Sequence, residues 1–379
     1  MNYRTHIVSS LAEVGQAEWD GLVAMQDKPN PFLSYAFLHA MHESGSASAE
    51  SGWQPQFLTL YDGAALVAAM PLYVKTHSYG EYVFDWAWAD AYHRNGVEYY
   101  PKLLSAIPFT PVTGPRLLAR DGAARAALIE VLVGTQQASE VSSTHILYPP
   151  EEQVQQLADA GFMLRSGVQF HWLNAGYKDF DEFLATLEKK KRKNIRAERR
   201  KVQEAGVTMR RVRGFDALDA DWRLFNRCYQ HTYKAHRSTP YLNLDFFQRI
   251  GRDMPDNILL VIAEREGKPI AASLVIHSAD TLFGRYWGEL EHVPCLHFET
   301  AYYQPLEFCI EQKIAVFEGG AQGEHKMARG FLPTKTWSAH WLAHPAFSDA
   351  IERFLEREKG GIDEYIDELN DRNPFKEPA

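Results

Sequence analysis

Apolar and polar positions alternate along the chain in two rhythms, dividing it into short strands and amphipathic helices. Thr5–Val8 reads as a strand, followed by a helix with Leu11, Val14, Leu22 and Val23 on its apolar face. Pro29 and Pro31 interrupt, and Ser34 is suited to cap a helix over Tyr35–Glu43. Residues 44–52 (SGSASAESG) have loop composition. Two β-type runs then meet at Asp62-Gly63, a dipeptide that favours the positive φ of a tight hairpin. Tyr82–Trp88 reads as an aromatic strand and 108–115 (PFTPVTGP) as a loop. Ala123–Val133 follows as a helix, Ile146–Tyr148 as a strand, Glu151–Ala160 as a helix and Phe162–Trp172 as an extended element.

The second half repeats the pattern of the first. NILLVIAEREGKPIAASLVIHSADTLFGRYWGELE parallels PQFLTLYDGAALVAAMPLYVKTHSYGEYVFDWAWAD, each with an apolar strand, an acidic residue and Gly at the turn, and an apolar-Ala-Ala strand. Val67-Ala68-Ala69 answers Ile270-Ala271-Ala272, and Gly63 answers Gly267. So long a period is read either as tandem duplication of one α/β domain, with a junction near residues 174–178, or as a chance likeness of two common hairpins, and duplication is the expectation. The expected domains are 1–175 and 176–379. Phe180–Ala205 reads as one long helix stopped by Gly206, and Asp221–Tyr233 and Asp245–Asp253 as two more. From Phe347, Ile351, Phe354 and Leu355 mark an amphipathic helix with a frayed end.

Candidate chemistry concentrates between Leu282 and Lys335. Leu282–Trp287 reads as a strand, Phe298, Tyr302, Leu306 and Ile310 as a helical stripe, and Ile314–Phe317 as a strand. Gly319, Gly320 and Gly323 then break regular structure among Gln322, Glu324, His325, Lys326 and Arg329. Sheets with crossover helices bind ligands at the carboxyl ends of their strands, which is where these residues fall. Glu324 and His325 are candidate general acid/base groups, and Lys326 and Arg329 candidate contacts for phosphate or an oxyanion. Taken singly, each is equally a surface charge. His297 and Glu299 open the preceding helix. Asp90 and His93, in an aromatic group with Trp86 and Trp88, are candidate ligand or interface contacts, with Trp86 assigned to the core.

The formal net charge of -9 argues against a general nucleic-acid binder. Residues 189–213 reverse it locally, with twelve Lys/Arg against two Glu. Lys189, Lys193, Arg196 and Arg200 share one helical stripe, fit either for a polyanion or for a solvated face. Hydrophobic residues at 45% supply material for two cores in 379 residues. Cys228, Cys295 and Cys309 show no pairing or zinc spacing, and no apolar run spans a bilayer. A cytoplasmic protein with reduced thiols and no metal is expected. His340 and His344 are four apart, without the adjacent Glu of a metallopeptidase helix.

Arg285-Tyr286-Trp287-Gly288-Glu289-Leu290 is similar to the R-x-x-G-x-G/A pyrophosphate loop of acetyl-coenzyme-A-dependent acetyltransferases, with Leu at the last position. SYAFLHAMHESG, YVFDWAWADAYHRNG, PFTPVTGPRLL, KKKRKNIRAERRKV, GRYWGELE, LHFETAYYQPLEFCI and GAQGEHKMARGFLPTKTWSAHW together resemble the FemAB-like predicted N-acyltransferases of the GNAT (Gcn5-related N-acetyltransferase) superfamily. That resemblance covers nearly the whole chain. It implies an α/β fold of two tandem GNAT-like domains with mixed sheets. It further implies transfer of an aminoacyl or acetyl group to an amine, on a small molecule, a peptide or a cell-wall precursor, without metal. The donor is acetyl- or acyl-coenzyme A or aminoacyl-tRNA; the alternative is a non-catalytic binding module on the same scaffold. Lys326 of Lys326-Met-Ala-Arg-Gly330-Phe331 is similar to the family's K-x-x-G-F lysine. Arg285, Gly288, Arg329 and the Lys189–Arg200 stripe are expected at the donor, and Tyr286, Glu289, His297, Glu299, Gln322, Asp90 and His93 at the substrate. Oligomeric state is left open.

Overall fold

The computed structural model describes residues 3–320 and 323–376, and the expected substrate contact Gln322 lies outside them. Strands β1 (Arg4–Val8), β2 (Trp53–Pro55), β3 (Phe57–Asp62), β4 (Ala65–Met70), β5 (Tyr73–Lys75), β6 (Lys102–Ser105), β7 (Leu118–Ala119) and β8 (Ser143–Leu147) come first. They alternate with helices α1 (Gln16–Ala24), α2 (Tyr35–Glu43), α3 (Trp86–Arg94), α4 (Gly122–Ala138) and α5 (Glu151–Asp159). After β9 (Met163–Leu173) come α6 (Phe180–Thr186), α7 (Lys189–Glu204), β10 (Val207–Arg213), α8 (Asp219–Ala235) and α9 (Leu244–Asp253). Strands β11 (Ile258–Arg265), β12 (Lys268–His277) and β13 (Thr281–Glu289) lead to α10 (Leu296–Phe298), a π-helical turn (Glu299–Tyr303) and α11 (Gln304–Gln312). The chain closes with β14 (Val316–Glu318), β15 (Leu332–Leu342) and α12 (Pro345–Asp371). No helix among the described residues is long and apolar enough to cross a membrane.

Internal contacts gather the chain into two compact units. One runs up to Gly167 and takes in Lys335–Tyr365; the other is Val168–Thr334 with the stretch from Ile366. The first break is close to the expected junction at 175, but a contiguous second domain is not what forms, because most of β15 and α12 return to the first unit.

In the first unit, β1-β3-β4-β7 form one antiparallel set, and β15-β8-β6-β5-β2 another in which β6 and β8 run parallel. Leu58, Leu60, Val67, Met70, Leu103, Leu128, Leu132 and Ile146 fill a common core. The Asp62-Gly63 hairpin forms, with Gly63 at φ 61°. Ser34 caps α2 as expected, accepting from the Phe37 amide. Tyr82–Trp88 does not form a strand: α3 begins at Trp86, and buried Glu81 and Asp85 are drawn onto the ammonium of Lys102 on β6. Trp86 is correspondingly 41% exposed, whereas Trp88 and Tyr92 pack against Leu342, Ile351 and Leu355.

In the second unit the order is β10-β11-β12-β13-β14-β9. β11 and β12 turn at Glu266-Gly267, both with positive φ, as the hairpin of the first unit does at Gly63. The parallel pair β13–β14 is joined by the helical crossover 296–312, as parallel neighbours require. The expected long helix is broken at Leu187-Glu188 into α6 and α7, because Leu187 is fully buried and bridges to Phe375. Residues 374–376 are therefore docked rather than frayed.

Candidate active site

Strand β13 departs from regular pairing on both sides. Against β12 its register jumps from Val275↔Gly284 to Leu274↔Tyr286, so Arg285 is the extra residue of a bulge. Against β14 it pairs only from Thr281↔Val316 to Phe283↔Glu318. Beyond that point the strands part, and a small open cleft lies between them. Ser273–Val275, Gly284–Trp287, Gly319, His297, Ala301 and Tyr302 line it. At Gly319 a Cβ would come within 2.9 Å of the Phe331 ring, so glycine is what lets the chain turn away here.

One wall of the cleft is aromatic. The Trp287 and His297 rings lie 4.6 Å apart, and Tyr302 stands edge-on to His297 at 5.4 Å. The Tyr302 hydroxyl is 3.4 Å from Nε2 of His325. Burial lowers His297 to about 4, helped by the neighbouring His325, Arg329 and Lys326. His325 is lowered for the same reasons, burial first. Both imidazoles are therefore neutral at pH 7. Burial pushes the Tyr302 hydroxyl up to about 12, so it remains a donor.

Behind Gly319, the side chain of Lys326 is buried and donates from Nζ to the Gly320 carbonyl at 2.9 Å. It has no carboxylate partner among the described residues, and burial lowers its amine to about 8. An ammonium held this way is poised to release or share a proton near neutrality. His171 of β9 belongs to the same neighbourhood: burial and then Lys326 lower it to about 4. It is the cross-strand partner of Glu318 and lies 3.4 Å from Gln169. Sequence reasoning missed His171. Its signal was the alternation of polar Gln169 and His171 with apolar Phe170 and Trp172, which puts two polar groups on one face of a buried strand.

Several expected site residues are engaged by other protein groups. Arg329, expected to contact phosphate, is engaged by protein groups. Its guanidinium donates to Glu198 of α7 at 2.8 Å, to the Tyr303 hydroxyl at 3.1 Å and to the His325 carbonyl at 2.8 Å, and covers the Phe298 ring at 3.5 Å. Glu299 is likewise structural, bound with Glu307 to Arg199 of α7. Glu324 is exposed and pairs with Arg372 at 3.0 Å, so it does not line the cleft. Arg285 through Glu289 is strand, and Gly288 packs closely on α8: a Cβ there would sit 2.0 Å from the Cys228 carbonyl. Glu289 meets His292 at 2.9 Å; Arg285 donates to the Tyr286 hydroxyl at 3.0 Å, and that ring packs on Tyr229. In the first unit Asp90 and His93 are exposed on α3, Asp90 paired with Arg94. His340 lies on β15 with Nδ1 2.7 Å from Nδ1 of His145.

Helix α7 keeps a cationic face. Lys189, Lys193 and Arg200 are exposed and make no ion pair among the described residues, while Arg196 pairs with Asp181 at 2.8 Å. Its opposite face carries buried Ile195 and Val202, which seat it on the unit. Glu198 and Arg199 bind the helix to the π-helical turn and to Arg329.

Comparisons bear on this arrangement. The C-terminal domain of a putative lysylphosphatidylglycerol synthetase from Agrobacterium fabrum superposes with a TM-score of 0.56 at 11% identity, covering 91% of this chain and 97% of that one. FemX gives 0.56 at 9% identity, with 92% and 100% covered. L-PGS from Bacillus licheniformis gives 0.52 at 10% identity, with 83% and 95% covered. At such identities the likeness is one of fold, an α/β fold with mixed sheets flanked by helices. No curated protein matches the chain in sequence. A family model for FemAB-like proteins, described as peptidoglycan biosynthesis/recognition, matches residues 10–377, so the chain belongs to the FemAB-like family.

Proposed function

We propose that this chain is an N-acyltransferase, moving an aminoacyl or acyl group from a phosphate-bearing donor to an amine in the cleft where β13 and β14 part. The observation that carries this is the cleft, lined by the neutral imidazole of His297, with His325 behind its Tyr302 wall and the buried Lys326 amine behind Gly319. Acyl transfer to an amine needs a proton acceptor and positive polarisation of a developing oxyanion. The amine nitrogen bonds to the acyl carbon, and the C–S bond of an acyl-coenzyme A or the C–O ester bond of an aminoacyl-tRNA breaks. The amine proton passes to His297 or His325, and Lys326 stabilises the oxyanion or protonates the leaving group. Lys189, Lys193 and Arg200 of α7 receive the donor's phosphates, which both donor classes carry. The family description, peptidoglycan biosynthesis/recognition, supports a peptidoglycan precursor as the source of the acceptor amine. Transfer from a panel of acyl-coenzyme A donors and charged tRNA to peptide amines, compared between wild type and Lys326→Met, tests the proposal. Loss of transfer with retained folding supports it; full transfer by Lys326→Met overturns it.

A binding module that recognises a peptidoglycan precursor or acyl carrier is the second reading, favoured by the packing role of Gly288 and the strand conformation of Arg285–Glu289. Thermal stabilisation by a muropeptide, with no turnover of any donor, would select it.

A further inference from the structure

The six-residue turn Glu324–Arg329, which carries His325 and Lys326, is not self-supporting. It is a 3₁₀ turn, whose hydrogen bonds are weaker than those of an α-helix, and both of its flanking glycines adopt positive φ: Gly323 at 111° and Gly330 at 86°. Glycine at both ends makes two pivots. Its seating must come from side chains that reach it from elsewhere. Arg329 supplies one tie, to α7.

The second tie comes from residues 372–376. After α12 the chain doubles back, and residues 374–376 run beside the α6–α7 junction. The Glu188 amide donates to the Pro374 carbonyl at 3.0 Å, the Lys376 amide donates to the Thr186 carbonyl at 2.9 Å, and Leu187 bridges to Phe375. Pro374 is buried and Phe375 half-buried. The Phe375 ring rests on the pivot: a Cβ at Gly330 would lie 3.3 Å from its Cζ and 2.9 Å from that of Phe183. Arg372 reaches the other end of the turn through its ion pair with Glu324 at 3.0 Å. One short segment thus touches the start of the turn, its end, and the entry to the cationic helix.

We infer that Arg372 and Phe375 are positioning residues, and that Arg372–Lys376 is a clasp holding the Glu324–Arg329 turn against the entry of α7. The inference rests on the acyl-transfer proposal only in giving that turn its chemistry. Phe375 is the principal hold, since its ring covers a glycine pivot; the Arg372–Glu324 pair is exposed and worth little alone. With the clasp released, the turn swings on its glycines and the Lys326 amine leaves its buried seat beside Gly320.

The test compares wild type with Phe375→Ala, Phe375→Leu and Arg372→Ala. Competitive labelling of lysines with acetic anhydride across pH, read by peptide mass spectrometry, gives the titration midpoint of Lys326; amide hydrogen exchange follows Gly330 and Phe331. Expected are a midpoint of about 8 in wild type and Phe375→Leu, and one moved toward the ordinary lysine value in Phe375→Ala. Exchange at Gly330 and Phe331 should rise at least about tenfold in Phe375→Ala while β11 and β12 stay protected. Arg372→Ala, which removes only an exposed pair, keeps the test open should Phe375→Ala not fold; a detectable rise in exchange of the Lys326 amide is expected. Unchanged midpoint and exchange in folded variants overturn the clasp, as does acceleration spread evenly over the unit. Neither readout needs a substrate, so absence of acyl transfer would refute the proposed function and leave the clasp to be judged separately.

Discussion

Arg329 separates the structural account from the pattern-based one most sharply. Its side chain is 6% exposed and that of Glu198 21%. Replacing it by methionine keeps an apolar stem against Phe298 and removes three donors. Glu198 loses its cation and retains the Tyr303 hydroxyl, while the His325 carbonyl and Tyr303 each lose a partner. Breaking a buried pair by deleting one charge costs roughly 3–5 kcal/mol, and the partial exposure of Glu198 places the loss near the lower figure. Arg329→Met should therefore destabilise by about 3 kcal/mol in urea unfolding. Glu198→Gln should cost less, and the double variant should show a coupling of roughly 1–3 kcal/mol, as residues in one network do. If Arg329→Met instead unfolds within about 0.5 kcal/mol of wild type but weakens binding of a phosphate-bearing donor, Arg329 is a ligand contact and the account is refuted.

Other consequences can be checked with the same unfolding assay. Gly288→Ala should be strongly destabilising, because its Cβ meets the backbone carbonyl of Cys228 rather than a movable side chain; near-wild-type stability would contradict the packing role. Lys102→Met should cost roughly 3–5 kcal/mol, since it leaves Asp85 and Glu81 buried without the cation that binds both; a neutral effect would refute this. Burial, followed by Lys102, lowers His145 to about 3, and burial followed by His145 holds His340 well below its usual range. The unfolded chain takes up these protons below about pH 6.5 while the folded one does not, so stability should fall as pH drops from there toward 3. Glu81, raised by burial to about 7, works in the opposite sense between pH 4.5 and 7 and offsets part of the loss. His340→Asn should shrink the difference in urea midpoint between pH 7 and pH 5; an unchanged difference would count against the buried neutral pair.

Much of the fold was legible because its signals are local. Asp62-Gly63 and Glu266-Gly267 announce their hairpins through the positive φ that their turns demand, and Ser34 announces the start of α2. The aromatic strand Leu282–Trp287, the crossover helix and the strand that ends before Gly319 all form close to where their local patterns put them. What failed depended on distant partners. Tyr82–Trp88 carries a convincing strand alternation, yet the pull of Lys102 on Glu81 and Asp85 decides its path, and that ion cluster is invisible to a window of neighbours. Arg329 looked like a reactive-loop cation because Glu198, its partner, lies 131 residues away. Gly288 fitted a phosphate-loop pattern, and the close approach of α8 to it is a contact that no local window reveals. Leu187 sat within a continuous helical pattern, and only its bridge to Phe375 explains the break there.

The central claim is that the parted β13–β14 cleft is where the acyl group is transferred. Ala301 lines that cleft from the π-helical turn and makes no polar contact through its side chain, so Ala301→Phe fills the space while leaving His297, His325 and Lys326 in place. Donor-dependent thermal stabilisation and acyl transfer, measured side by side on wild type and Ala301→Phe with acyl-coenzyme A and aminoacyl-tRNA, is the direct test. Stabilisation and transfer by wild type with one donor class, both lost in a folded Ala301→Phe, is the predicted result; transfer undiminished in Ala301→Phe would contradict the account.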